Sequence, residues 1–145
     1  MVEQSPHLAS WREAVAWHAR KAMLDAGWVK PGPREPVAVW AAFVFPKPKT
    51  GPDRDAKYHT GRSDLDKLLR SLLDAMTTAG VWADDAQVAV IEASKRLAPL
   101  HVFRIQPWDW RMPNRLKGES AFGWTVVHEP GVEVSVTTLK KKGSS

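Results

Sequence analysis

Between Leu65 and Met76 the apolar positions fall at Leu65, Leu68, Leu69, Leu72, Leu73 and Met76. That three- and four-residue spacing marks one buried face of a helix. Ser63 with Asp66 supplies a capping signal ahead of it, and Gly80 supplies the stop. Upstream, WREAVAWHARKAMLDA, from Trp11 to Ala26, is a second helical stretch with Ala14, Trp17, Met23 and Leu24 near one face. Gly27 closes it, and Pro6 is expected to hold regular structure off the first residues. From Pro36 to Pro46 both alternating faces are apolar, which predicts a central strand. Val88 to Ser94 predicts the next strand, ended by Lys95 and Arg96, and His101 to Ile105 a short one. Phe122 to His128 and Val132 to Leu139 flank Glu129-Pro130-Gly131 as a hairpin. Residues 28–35, 46–62 and 106–120 have no period and are dense in proline, glycine and charge, so they read as loops. The pattern predicts an α+β domain over 1–139, with helices packed on one face of a mixed β-sheet, and a basic flexible tail at 140–145.

Composition narrows this further. A chain of 145 residues suits one domain with a real core. There are no cysteines, so thiolate metal sites and disulfides are excluded. The longest apolar run, Val37 to Phe45, is too short to span a membrane, and no signal-peptide pattern precedes the first helix. A cytoplasmic protein with no membrane partner is the expectation. Basic residues number 21 against 16 acidic, a net charge of +5, which suits a polyanionic partner.

Candidate chemistry gathers around the helix that opens at Leu65. Asp64 and Asp66 lie at its start, and Asp84-Asp85 lies just ahead of the next strand. A helix start and a strand start can lie side by side, and that geometry would bring Asp64, Asp66 and Asp85 together. Three converging carboxylates repel unless a cation or basic neighbours hold them ionised. Magnesium suits all-oxygen ligands and retains waters for a phosphate substrate. The same spacing also allows plain surface ion pairs, Asp66 with Arg70 and Arg70 with Asp74. The loop leading into Asp64 carries Lys47, Lys49, Arg54, Lys57 and Arg62. It reads either as a solvated surface loop or, beside an acidic cluster, as a contact for a DNA backbone. The 106–120 loop interleaves Trp108, Trp110, Arg111, Arg115 and Lys117, for DNA contact or for pinning the loop to the domain.

The stretch D-L-D-K-L-L-R-S-L-L-D-A-M followed by G-V-W-A-D-D-A-Q-V resembles the signature of the RusA family of Holliday junction resolvases, the crossover junction endodeoxyribonucleases. That family reads D-x-D-N-L-x-K, a helix ending in D-A-L, then W-x-D-D-x-Q-V. Asp64, Asp66, Asp74, Ala75, Gly80, Trp82, Asp84, Asp85, Gln87 and Val88 fall in register with it. The resemblance implies a RusA-like fold, a homodimer, branched DNA as partner, and magnesium, with manganese as the alternate ion, held by Asp64, Asp66 and Asp85. It also implies a catalytic cation one turn after the second aspartate. The family's asparagine is Lys67 here and its lysine is Arg70, so either of these takes that role. Arginine binds a phosphate oxygen through two hydrogen bonds but cannot give up a proton. The family's opening strand has no counterpart ahead of the first helix, so either that strand is lacking or Met1 is an internal start. A junction-binding protein of the same fold that cuts poorly is the rival reading. A nucleotide phosphohydrolase is a third, without the glycine-rich phosphate loop such chemistry uses.

Overall fold

The computed structural model describes residues 6–46, 48, 50, 51, 56, 58–61, 64–98, 115, 118–126 and 131–139. Among them the chain forms two α-helices, Pro6–Ala26 (α1) and Leu65–Ala79 (α2), and four strands. The strands are Val37–Pro46 (β1), Val88–Ala98 (β2), Ala121–Val126 (β3) and Gly131–Thr138 (β4). They form one sheet in the order β2-β1-β4-β3, with β1 and β2 parallel and the other pairs antiparallel. The expected α+β architecture is therefore present. β1 is internal, and its two apolar faces follow from that position.

Both helices cover the same face of the sheet. Val37, Val39, Ala41 and Phe43 of β1 and Val132, Val134 and Val136 of β4 form one core with Trp11, Val15 and Ala19 of α1 and Leu72, Ala75 and Met76 of α2. Each fully buried Val, Leu, Phe or Met side chain among these contributes about 1.5–3 kcal/mol by leaving water. α2 matches its leucine pattern, with Leu65, Leu68, Leu69 and Leu73 packed against the margin of the core.

Several boundaries and faces differ from the sequence pattern. α1 begins at Pro6 instead of after it, because the first helical position needs no N–H donor. Its buried stripe is Trp11, Val15 and Ala19, while Trp17 and Leu24 are exposed at 57% and 83%. The four-residue step of small and apolar positions sets that face, and the bulky Trp17 falls on the opposite one. β2 continues through Lys95 and Arg96 to Ala98 because it has β1 as a partner along its whole length. The cap of α2 is Asp64, whose side chain makes no capping hydrogen bond; the expected Ser63 lies outside the described residues. Gly80 does end the helix, at a φ of 84° that favours glycine. β3 and β4 pair as the expected hairpin, and the expected 101–105 strand lies outside the described residues.

Candidate functional site

β1, α2 and β2 form a parallel crossover, and this topology decides where the acids go. α2 runs back from the C-terminal end of β1 to the N-terminal end of β2. Asp64 and Asp66 stand at one end of that helix and Asp84 and Asp85 just beyond the other. The 15 residues of α2 span about 22 Å at about 1.5 Å per residue. The expected meeting of Asp64, Asp66 and Asp85 in one chain is not what the fold builds, because a helix start and the following strand start lie at opposite ends of a parallel crossover. Among the described residues no group of three or more His, Cys, Asp or Glu is placed to hold a metal.

At the N-terminal end of α2, Asp64 and Asp66 are both exposed. The Lys67 ammonium lies 3.7 Å from the Asp64 carboxylate, an exposed pair that is worth little in stability. Asp64 therefore offers its carboxylate to solvent without spending it on the helix N-terminus. Arg70, also exposed, makes no ion pair among the described residues. The expected chain Asp66–Arg70–Asp74 is absent, and Asp74 pairs instead with Arg12 of α1 at 3.8 Å. Arg12 also donates to the Ser71 hydroxyl at 3.5 Å. The i, i+4 spacing permits the Arg70 pairs, yet Asp74 turns toward the neighbouring helix, where a half-buried guanidinium is on offer.

The approach to this acidic end is fastened to the edge of the sheet. Tyr58 bridges Arg96 of β2, and the His59 N–H donates to the Lys95 carbonyl at 3.1 Å. The Lys95 ammonium donates to the Gly61 carbonyl at 3.3 Å. The His59 ring stacks on Phe45, with centroids 3.9 Å apart and planes 10° from parallel. Lys47, Lys49, Arg54, Lys57 and Arg62, the expected DNA contacts, lie outside the described residues, as do Trp108, Trp110, Arg111 and Lys117. Arg115 is described and pairs with Glu92 of β2 at 2.9 Å.

The other acidic end is built differently. Asp84 caps a single 3-10 turn, Asp85–Gln87, by accepting the Ala86 N–H at 2.9 Å. Gln87 is buried, and its oxygen accepts the N–H groups of Ala83 at 2.9 Å and Asp84 at 3.1 Å. Its amide nitrogen donates to the carbonyls of Gly32 at 2.6 Å and Glu35 at 3.0 Å. Trp82, fully buried, donates to the Thr77 hydroxyl at 2.8 Å, and Trp28 donates to the Val81 carbonyl at 3.0 Å. Within the D-D pair, Asp84 is thus spent on capping the turn, while Asp85 is exposed. Desolvation, a hydrogen bond shared with Asp84 and the charges of Asp84 and Asp74 together hold the Asp85 carboxyl above its ordinary range.

Sequence reasoning missed three residues that shape these two ends. Arg12 gives no local signal, since its partner is 62 positions away on another helix. Gln87 stands in the motif with no chemistry of its own to mark it. Lys95 does carry a signal, a lone charge on the strand face that elsewhere holds apolar residues, but it reads as a strand end.

No helix among the described residues is long and apolar enough to cross a membrane. The family described as endodeoxyribonuclease RusA matches residues 2–103, well over half of the chain. No curated protein is matched.

Proposed function

Because the chain belongs to the RusA family of endodeoxyribonucleases, we propose that it is a magnesium-dependent, homodimeric enzyme of the cytoplasm that resolves four-way DNA junctions. The observation that carries this reading is Asp64, which caps α2 by position yet makes no capping hydrogen bond, so that its exposed carboxylate faces solvent with only the exposed Lys67 ammonium beside it. Asp64, Asp66 and Asp85 are exposed, all-oxygen donors, and that chemistry fits magnesium or manganese. One chain keeps them a helix length apart, so the dimer matters to the site itself. Asp64 and Asp66 of one copy with Asp85 of a second copy would complete each donor set, and two-fold symmetry then gives two sites for two strands. The ion would polarise the scissile phosphate and lower the pKa of the attacking water.

The chain's own residues do the rest. Arg70, exposed and without an ion pair among the described residues, lies one turn beyond Asp66 and offsets charge developing on the phosphorus oxygens. Lys67 is the second cation within reach, already 3.7 Å from Asp64. Lys47, Lys49, Arg54, Lys57 and Arg62 hold the sugar-phosphate backbone as it passes the acidic end of α2.

The rival, junction binding without cleavage, is favoured by the separation of the acids within one chain. A four-way junction incubated with the protein, with magnesium, with manganese and with chelator, separates the two. Symmetric nicks that need the ion support the resolvase. Tight junction binding with no cut under any condition supports the rival.

A further inference from the structure

We propose that Lys95 is the positioning residue for the Asp64–Asp66 pair, acting through the Gly61 carbonyl; the functional part of this rests on the nuclease reading above. Lys95 pairs in register with Phe43 of β1, so it lies on the helix-covered face of the sheet. The corresponding positions of β1 on that face, Val37, Val39, Ala41 and Phe43, are all buried and apolar. Lys95 is partly buried on the edge strand, and its ammonium reaches the exposed margin of the sheet, where it donates to the Gly61 carbonyl at 3.3 Å.

Gly61 precedes Asp64 by three residues. The contact therefore holds the chain at the point where it turns from the sheet into α2. Two further contacts make this a three-point attachment. The His59 N–H bonds to the carbonyl of the same Lys95, and the His59 ring stacks on Phe45. The first helical hydrogen bond, Leu68 N–H to the Asp64 carbonyl at 3.1 Å, begins directly downstream. Displacing reacting groups by about 1 Å can cost about a hundredfold in rate. A lysine that fixes where two metal-binding carboxylates begin thus acts on the cleavage step without touching the substrate.

The test compares the full chain with Lys95→Met, which keeps length and loses the donor, and Lys95→Arg, which keeps a donor. Amide hydrogen exchange at His59 and Leu68 reads the attachment directly, and Val81, bonded to the Met76 carbonyl at the far end of α2, is the internal reference. We expect Lys95→Met to speed exchange at His59 and Leu68 by about fivefold, the factor that one hydrogen bond is worth, with Val81 unchanged. Single-turnover cleavage of a four-way junction at saturating protein should fall by about tenfold or more, with junction affinity unchanged. Lys95→Arg should restore both. Unchanged exchange at His59 and Leu68, or equal acceleration at Val81, overturns the proposal. So does a loss of affinity with cleavage at saturation intact, which would make Lys95 a DNA contact. If the unsubstituted protein leaves the junction uncut, the nuclease reading fails while the exchange measurement still decides the role of Lys95.

Discussion

Arg12 on α1 lies 3.8 Å from Asp74 on α2, and Asp74 is one of the charges that hold the Asp85 carboxyl high. A guanidinium on the first helix is thereby linked to an acid beyond the end of the second. Since the folded state raises the Asp85 pKa, folding favours its protonated form. The stability this group contributes is present below its unfolded value, about 3.9, and is lost as pH rises through the folded one. Asp85→Asn should therefore gain on the unsubstituted protein as pH rises from about 3 to about 6, read as melting temperature. Asp74→Asn should show part of the same gain, offset by the loss of a half-exposed ion pair worth up to about 1 kcal/mol. A difference between Asp85→Asn and the parent that is constant with pH would mean that the carboxyl is not raised.

Asp64→Asn, Asp66→Asn and Asp85→Asn should each cut at least about a hundredfold more slowly, while junction binding persists. The sharper measurement mixes two inactive chains. If each site takes Asp64 from one copy and Asp85 from the other, dimers of Asp64→Asn with Asp85→Asn retain one intact site and nick one strand. Sites built within single chains would leave the mixture inactive.

Replacing Lys47, Lys49, Arg54 and Lys57 together by alanine should weaken binding to every DNA form. The slope of log affinity against log salt should fall by up to about four, about one for each phosphate that is no longer neutralised. An unchanged slope returns this loop to plain solvation.

Arg70→Lys, which restores the family residue, should cut as fast as the parent or faster, while Arg70→Ala should be slow. Lys67 is the alternative cation because it already sits 3.7 Å from Asp64. If Lys67→Ala is the damaging change and Arg70→Ala is silent, Lys67 holds the role. Normal cutting by both alanine variants would move charge compensation to the ion or to the second copy.

Gln87→Ala should cost about 2–4 kcal/mol in denaturant unfolding, since four backbone groups lose their partner at a buried position. Four hydrogen bonds at 2.6–3.1 Å tie the turn after α2 to the connector before β1. A cost below about 0.5 kcal/mol, the range of ordinary surface changes, would mean that water replaces the amide.

The fold was legible wherever burial had one clear period. The leucines of α2, the two-faced β1 and the stop at Gly80 follow from spacing and backbone chemistry alone. Trp17 misled because α1 buries Trp11 together with the smaller Val15 and Ala19, so side-chain size says little about which face is inward. The acidic motif was legible as a set of residues but not as an arrangement in space. Whether Asp64 and Asp85 share an end of α2 depends on β2 lying parallel to β1, and nothing local in 64–87 encodes strand direction. Arg12–Asp74 and Lys95–Gly61 were invisible for the same reason, since each joins segments more than thirty residues apart.

The internal position of β1 also bears on how the protein is made. Val37–Pro46 is apolar on both faces, and both of its neighbours, β2 and β4, come later in the chain. During synthesis this strand has no partner on either edge until residue 98 has emerged, and none on the second edge until residue 138. Bare apolar strands are templates for pairing between chains. Pro36 and Pro46 bracket the segment, with Arg34 and Glu35 just ahead of it, and residues of this kind beside a hydrophobic strand discourage such pairing. The interval in which β1 waits for its partners is therefore where these flanking residues count most.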